Sequence, residues 1–195
     1  DRQYGGHDND TLIGGPGDDM LVPWKGNDHV DGGDGRDFVA YGVMRSDTID
    51  LAAATASTPG GADTIGSIEN VIGTQGDDVM YGDAGPNVLW GQTGVDEMYG
   101  GDGDDLLLAG RFDTDSDFIH GEGGNDRLAG SEGDDFLHGG PGDDWLYGHG
   151  GNDWLFGAIG IDYLSGGHGY DECIDGETYV GCESRGAGRL LHPRS

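Results

Sequence analysis

Residues 121–174 read Gly121-Glu-Gly-Gly-Asn-Asp-Arg-Leu-Ala129, Gly130-Ser-Glu-Gly-Asp-Asp-Phe-Leu-His138, Gly139-Gly-Pro-Gly-Asp-Asp-Trp-Leu-Tyr147, Gly148-His-Gly-Gly-Asn-Asp-Trp-Leu-Phe156, Gly157-Ala-Ile-Gly-Ile-Asp-Tyr-Leu-Ser165 and Gly166-Gly-His-Gly-Tyr-Asp-Glu-Cys-Ile174. They divide without remainder into six nonapeptides, with glycine at positions 1 and 4, aspartate at position 6 and an apolar side chain at position 8. Glycines at fixed positions let the chain turn through positive φ. Positions 7 to 9 then form a very short strand whose alternate side chains face opposite ways, so position 8 points inward and positions 7 and 9 outward. Two units complete one coil, and coils stack at roughly 4.8 Å. The aspartates of every second unit therefore fall into a column. Such a column repels itself unless hard cations bridge it, and calcium, which takes 6 to 8 oxygens in a flexible geometry, suits it.

Working back, Gly5–Ile13, Gly14–Val22, Pro23–Asp31 and Gly32–Ala40 show the same unit, with Asp10, Asp19, Asp28 and Asp37 at position 6 and Leu12, Leu21, Val30 and Val39 at position 8. Residues 41–72 break the period. They keep strand-like alternation in Asp47-Thr48-Ile49-Asp50-Leu51 and in Ile65, Ile68 and Val71, around a turn at Pro59-Gly60-Gly61. Two longer rungs of the same solenoid are expected here, not a linker. The period resumes at Gly73 with Asp78, Asn87, Asp96 and Asp105 at position 6. The unit Ala109–His120 carries three extra residues, with Asp113, Asp115 and Asp117 in its turn. Asp126, Asp135, Asp144, Asp153, Asp162 and Asp171 follow in the central array. Across fifteen units, position 6 is Asp in fourteen and Asn in one, and position 8 is always apolar, which generic Gly-Asp composition does not hold in phase.

These residues resemble the RTX (haemolysin-type calcium-binding) repeat family over nearly the whole chain. The resemblance implies a right-handed parallel β-roll that folds on binding calcium outside the cell. It also implies that the position-6 residues Asp10, Asp19, Asp28, Asp37, Asp78, Asn87, Asp96, Asp105, Asp117, Asp126, Asp135, Asp144, Asp153, Asp162 and Asp171 are the principal ligands, joined by carbonyls of the glycine turns. Asn87 removes a charge, Pro86 stiffens its turn and Asp8 crowds the first turn. Position-5 residues such as Asp18, Asp77, Asp134 and Asp143 are expected to support the turn.

Composition agrees with this reading. The 195 residues include 43 Gly and 6 Pro, and 38 acidic residues against 9 basic leave a formal net charge of −29. Self-repulsion at that level opposes the compact state, so calcium is expected to drive folding of an expanded metal-free chain. Nucleic acid is a poor partner for such a surface. There is no apolar run of 18 residues for a transmembrane helix. No signal peptide is visible, and a start at Asp1 suggests a mature form or a piece of a longer protein. Neither H-E-x-x-H nor G-x-S-x-G occurs, so no enzymatic activity is expected.

Cys173 and Cys182, nine apart, fall at position 8 of consecutive units. A disulfide across the thin core is expected, with two buried thiols as the alternative. Outward positions are rich in rings: Phe118, Phe136 and Trp154 in one column, His120, His138 and Phe156 beside it, Trp145 with Tyr163 on the other sheet, and Tyr81 with Tyr99 earlier. Cross-rung ladders and a contact surface both account for them. His120 and His138 share a column, read as a solvated pair more readily than as a transition-metal site. The tail 184–195 holds Arg185, Arg189 and Arg194 and lacks the apolar terminus of a type I export signal.

The expected fold is a single all-β parallel roll over 1–183 (repeats 5–40, irregular rungs 41–72, repeats 73–183), about eleven coils and roughly 50 Å long, followed by a basic tail. The expected function is a secreted bacterial module that binds multiple calcium ions and is structural or secretion-associated. A second reading is a self-assembling filament or surface-layer protein. A third is a calcium-dependent polysaccharide-binding module.

Overall fold

The structure is a computed structural model and describes residues 1–42 and 46–182. Among them are twenty-one strands and no helix, in two sheets. The ten-stranded sheet is parallel throughout. It runs Arg2–Gly6, Met20–Trp24, Phe38–Ala40, Asn70–Ile72, Val88–Trp90, Leu106–Leu108, Arg127–Ala129, Trp145–Gly150, Tyr163–His168 and Thr178–Val180. The facing sheet has eleven strands, and chain segments alternate between the two. The molecule is thus a parallel β-solenoid of about ten coils, as the nonapeptide period implies.

Register follows the repeat. Leu128 pairs with Leu146 and Leu146 with Leu164, a step of two nonapeptides. Across the twelve-residue unit the step lengthens, pairing Met98 with Ile119 and Leu107 with Leu128, so the three extra residues stay in the turn. Position 8 lies inside in every full coil: Leu21, Val30, Val39, Leu89, Met98, Leu107, Ile119, Leu128, Leu137, Leu146 and Leu164 are all fully buried. One aliphatic residue per unit builds a core one side chain deep. Position-7 rings point outward, and Trp154 remains 61% exposed.

The irregular segment differs from the two longer rungs expected. Phe38–Ala40 pairs directly with Asn70–Ile72, so the ten-stranded sheet gains one strand from it. The other sheet gains three: Thr48–Asp50, Thr55–Thr58 and Gly61–Gly66, with the middle one antiparallel to both neighbours. This meander explains why the coils number about ten and not eleven. Its cause is local. At the first reversal Ala53 N–H donates to Asp50 Oδ1 at 2.7 Å. At the second, Thr58 Oγ1 accepts from Gly60 and Gly61 N–H at 3.0 and 3.1 Å. Tight turns of this kind join antiparallel strands, whereas the wide glycine turn of the repeat carries the chain to the other sheet.

The last coil also departs from the period. Leu164 pairs with Tyr179, so Tyr179, and not Cys182, takes the position-8 register. The Cys173–Cys182 disulfide does form, with Cα atoms 5.8 Å apart. It joins the strand Glu172–Ile174 to residues just past Thr178–Val180, rather than two core positions. The basic tail 184–195 lies outside the described residues.

Candidate metal-binding turns

Position 6 ends each turn, immediately before the strand starts, and its peptide N–H is used in one way along the roll. It donates to Oδ1 of the position-6 residue one coil further on. Such bonds link Asp78 to Asp96, Asp96 to Asp117, Asp117 to Asp135, Asp135 to Asp153 and Asp153 to Asp171, at 2.9–3.0 Å. On the other edge they link Asp105 to Asp126, Asp126 to Asp144 and Asp144 to Asp162, at 2.8–3.0 Å. Asp10 with Asp28, Asp19 with Asp37, and Asn87 with Asp105 continue the pattern at 2.8 Å. All the sequence-expected residues therefore fall into two columns, one along each side. Apart from Asp10, which is half-buried, every one is buried.

Oδ1 is thus committed to the neighbouring coil. The second oxygen, Oδ2, has no hydrogen-bond partner in Asp19, Asp28, Asp37, Asp96, Asp105, Asp126, Asp144, Asp153, Asp162 and Asp171, although each is buried. A buried unpartnered carboxylate oxygen is expensive, and its repetition along both sides makes an oxygen-only donor set suited to a hard cation. Burial pushes several of the position-6 carboxyls above the ordinary carboxylate range: Asp105, Asp117, Asp144 and Asp153 to about 7, and Asp96 to about 9.

Glycine at position 1 is required by the same packing. A Cβ on Gly121 would lie 2.3 Å from Oδ2 of Asp126 and 2.6 Å from the Gly139 carbonyl oxygen. Position 2 takes positive φ in most turns even where it is not glycine, as at Gln92, Glu122, His149 and Ala158, with φ between 71° and 86°. This conformation is uncommon for residues with a Cβ.

Three turns are built differently. Thr74 and Ser131, both at position 2, donate their N–H to Oδ2 of Asp78 and Asp135 at 2.6 Å. Asp83 N–H likewise donates to Oδ1 of Asn87 at 2.8 Å. These turns close on their own position-6 side chain and satisfy it internally. Thirteen of the fifteen expected ligands therefore form two groups, ten in open turns with an unpartnered oxygen and three in closed turns, while Asp117 Oδ2 accepts from the Ser131 hydroxyl at 3.4 Å and Asp10 is half-buried.

Position-5 side chains support the turn, as expected, and run the opposite way. Asp18, Asp77, Asp134 and Asp143 Oδ1 accept from the N–H of Arg36, Val95, Asn152 and Ile161 in the following coil, at 2.7–3.0 Å.

The columns also contain acidic residues that counting by nines passed over. Asp28 N–H donates to Asp63 Oδ1, and Asp47 N–H to Asp78 Oδ1, at 2.8 and 2.7 Å. Glu69 and Glu177 Oε2 accept from Asp37 and Asp162 N–H at 2.8 and 2.6 Å. Each heads an acidic-x-apolar or acidic-x-aromatic triplet (Asp47-Thr-Ile49, Asp63-Thr-Ile65, Glu69-Asn-Val71, Glu177-Thr-Tyr179), positions 6 to 8 of the repeat without its glycines.

Outside, the rings stack into one ladder on the eleven-stranded sheet. Tyr81–Tyr99, Tyr99–His120 and His138–Phe156 are stacked with centroids 5.0 Å apart, and His120–His138 meet edge-on at 5.7 Å. The Tyr99–His120 contact is hidden in the sequence by the three-residue insertion between them. Burial lowers both histidines' pKa.

A family model described as RTX calcium-binding nonapeptide repeat matches four copies, at residues 4–21, 72–107, 113–137 and 129–164, together more than half of the chain. No curated protein matches it.

Proposed function

Because the chain belongs to the RTX calcium-binding nonapeptide repeat family, we propose that its open turns are the calcium sites and that filling them folds the roll. The chain is a calcium-binding repeat module. The observation that carries the finer reading is the unpartnered Oδ2 repeated at Asp19, Asp28, Asp37, Asp96, Asp105, Asp126, Asp144, Asp153, Asp162 and Asp171. Calcium supplies positive charge and an oxygen-hungry coordination sphere at these atoms. The closed turns at Asp78, Asn87 and Asp135 take no ion of their own. With a net charge of −29, the metal-free chain is expanded, and several ions bind together as it folds. Millimolar calcium outside a cell and scarce calcium within make such a module fold after export, so its role is extracellular, structural or secretion-associated. Residues 1–183 act as one body and 184–195 as its basic tail. No catalytic role is assigned to any residue.

Far-UV circular dichroism of chelator-treated protein during calcium titration, with bound calcium counted by equilibrium dialysis, tests this. A coil-to-β transition coupled to uptake of several ions is expected. An unchanged spectrum with no uptake overturns it.

The ladder of rings on the outer face favours a second reading, self-association through that face. Light scattering that rises with folding, and stays flat when Phe136 and Trp154 are both changed to Ser, is its signature. Polysaccharide stacking on the same rings is distinguished by retention of the monomer on an acidic-polysaccharide column.

A further inference from the structure

The twelve-residue unit Ala109–His120 does more than lengthen a turn. Its insertion brings Asp113 beneath the loop, where it is 2% exposed, against Asp96 and Asp117 of the adjoining coils, both fully buried. One carboxylate oxygen from each of the three lies within 4.8 Å of the others. Oδ2 of Asp96 and Oδ2 of Asp113 have no hydrogen-bond partner. Of the other oxygens, Oδ1 of Asp96 and Oδ1 of Asp117 accept from the N–H of Asp78 and of Asp96 at 2.9 Å, the Ser131 hydroxyl donates to Asp117 Oδ2 at 3.4 Å, and Asp115 N–H donates to Asp113 Oδ1 at 3.2 Å. The loop itself is pinned. Glu132 N–H donates to the Asp113 carbonyl at 2.9 Å, and Phe112, at φ 67°, turns its ring out to 75% exposure as Asp113 turns in.

We propose that Asp96, Asp113 and Asp117 together form one calcium site that holds its ion more tightly than the other open turns. The inference rests on the reading that the open turns take calcium, and it gives the turn at Asp96 a ligand from outside the repeat. Asp113 stands at no repeat position, and it adds a third carboxylate where an ordinary turn offers the position-6 pair of adjoining coils. Oxygens within 4.8 Å of one another fit across a calcium sphere of 2.3–2.6 Å radius, whereas magnesium at 2.0–2.1 Å demands a tighter cluster. Affinity among oxygen sites rises with the number of charged ligands and the rigidity of the site. This ion is therefore the first taken up in a titration, and it seeds folding from the middle of the roll.

Equilibrium dialysis with radioactive calcium on the full chain, comparing wild type with Asp113→Asn and with Asp115→Asn, tests the site. Asp115 is exposed in the same loop, so its variant carries the same charge change without the ligand. The expected result is loss of one ion in Asp113→Asn, with the first binding step weakened at least tenfold, while Asp115→Asn matches wild type. Wild-type uptake with an unchanged first step in Asp113→Asn overturns the site and leaves the open-turn reading standing. A wild-type chain that binds no calcium overturns both. If Asp113→Asn never reaches the native circular dichroism, amide exchange of wild type at substoichiometric calcium decides. Protection of the Asp96 and Asp117 amides ahead of those of Asp144 and Asp162 supports the site, and simultaneous or later protection overturns it.

Discussion

Thr74 donates its backbone N–H to Oδ2 of Asp78 at 2.6 Å, taking up the one carboxylate oxygen that Asp153, at the same position of another turn, leaves without a partner. Two turns of equal length thus differ in what they ask of solvent or ion. Asp153→Asn should lower bound calcium and raise the calcium midpoint of folding several-fold, whereas Asp78→Asn should leave the ion count unchanged. Equilibrium dialysis of the two variants side by side decides; equal losses would mean that the distinction between open and closed turns has no bearing on calcium.

Gly121→Ala places a methyl group 2.3 Å from Asp126 Oδ2 and 2.6 Å from a backbone carbonyl. Overpacking of this kind costs about 1–3 kcal/mol, and here it also displaces a proposed ligand. Gly66, by contrast, has open space at its Cβ and needs no positive φ, so Gly66→Ala should be neutral or stabilising by about 0.4–1 kcal/mol. Thermal melts at saturating calcium measure both. A Gly121→Ala roll as stable as wild type would contradict the packing described.

The buried carboxyls set a pH dependence whose sign follows from burial. Their folded pKa is raised, to about 6 in Asp126 and Asp135, about 7 in Asp144 and Asp153, and about 9 in Asp96. Protonation therefore favours the fold. Without metal, the contribution is fullest below the unfolded-state carboxylate pKa of about 4 and is lost as pH rises through about 6 to 9. Chelated protein should show more β-structure at pH 5 than at pH 8. Calcium competes with the same protons, so its affinity should climb over that interval with proton release on binding. Circular dichroism and unbuffered titration read the two effects; a metal-free chain that gains structure with rising pH is the contrary outcome.

Reduction of Cys173–Cys182 opens a loop of nine residues' separation, a loss of about 2–3 kcal/mol on the chain-entropy model. Because the bond ties only the last two strands, hydrogen exchange should accelerate in Glu172–Ile174 and Thr178–Val180 and stay unchanged around Leu128. Uniform acceleration along the roll would point instead to a global role.

Much of this was legible in the residues, because one aliphatic side chain every nine residues can be buried in only one register. Leu128, Leu146 and Leu164 had no other place to go. The meander was not legible, since Ile49, Ala56 and Ile65 are as buried as any repeat position and alternation alone does not tell a parallel rung from a hairpin strand. Nor was the division among the fifteen ligand candidates. It depends on whether position 2 turns its N–H toward the carboxylate, as Thr74 and Ser131 do, or swings to positive φ, as Glu122 and His149 do. Asp113 escaped because it stands between repeat positions.

The antiparallel strand Thr55–Thr58 keeps Asp63 and Asp47 from becoming neighbours, and at the same level Asn87 spends its side-chain oxygen on Asp83 in its own turn. A stack of like rungs passes order from one neighbour to the next, as a zipper closes tooth by tooth. Here the carboxylate-to-amide chain breaks on both sides at one height, while Asn87 Nδ2 still donates to the Glu69 carbonyl at 2.8 Å and the greasy spine of Val39, Val71 and Leu89 runs through. The molecule is in effect two short zippers on a shared backing, the first ending near Asp63 and Glu69, the second starting near Asp47 and Asn87. That arrangement predicts a half-closed form between coil and roll, with residues beyond Gly73 zipped and the first forty loose.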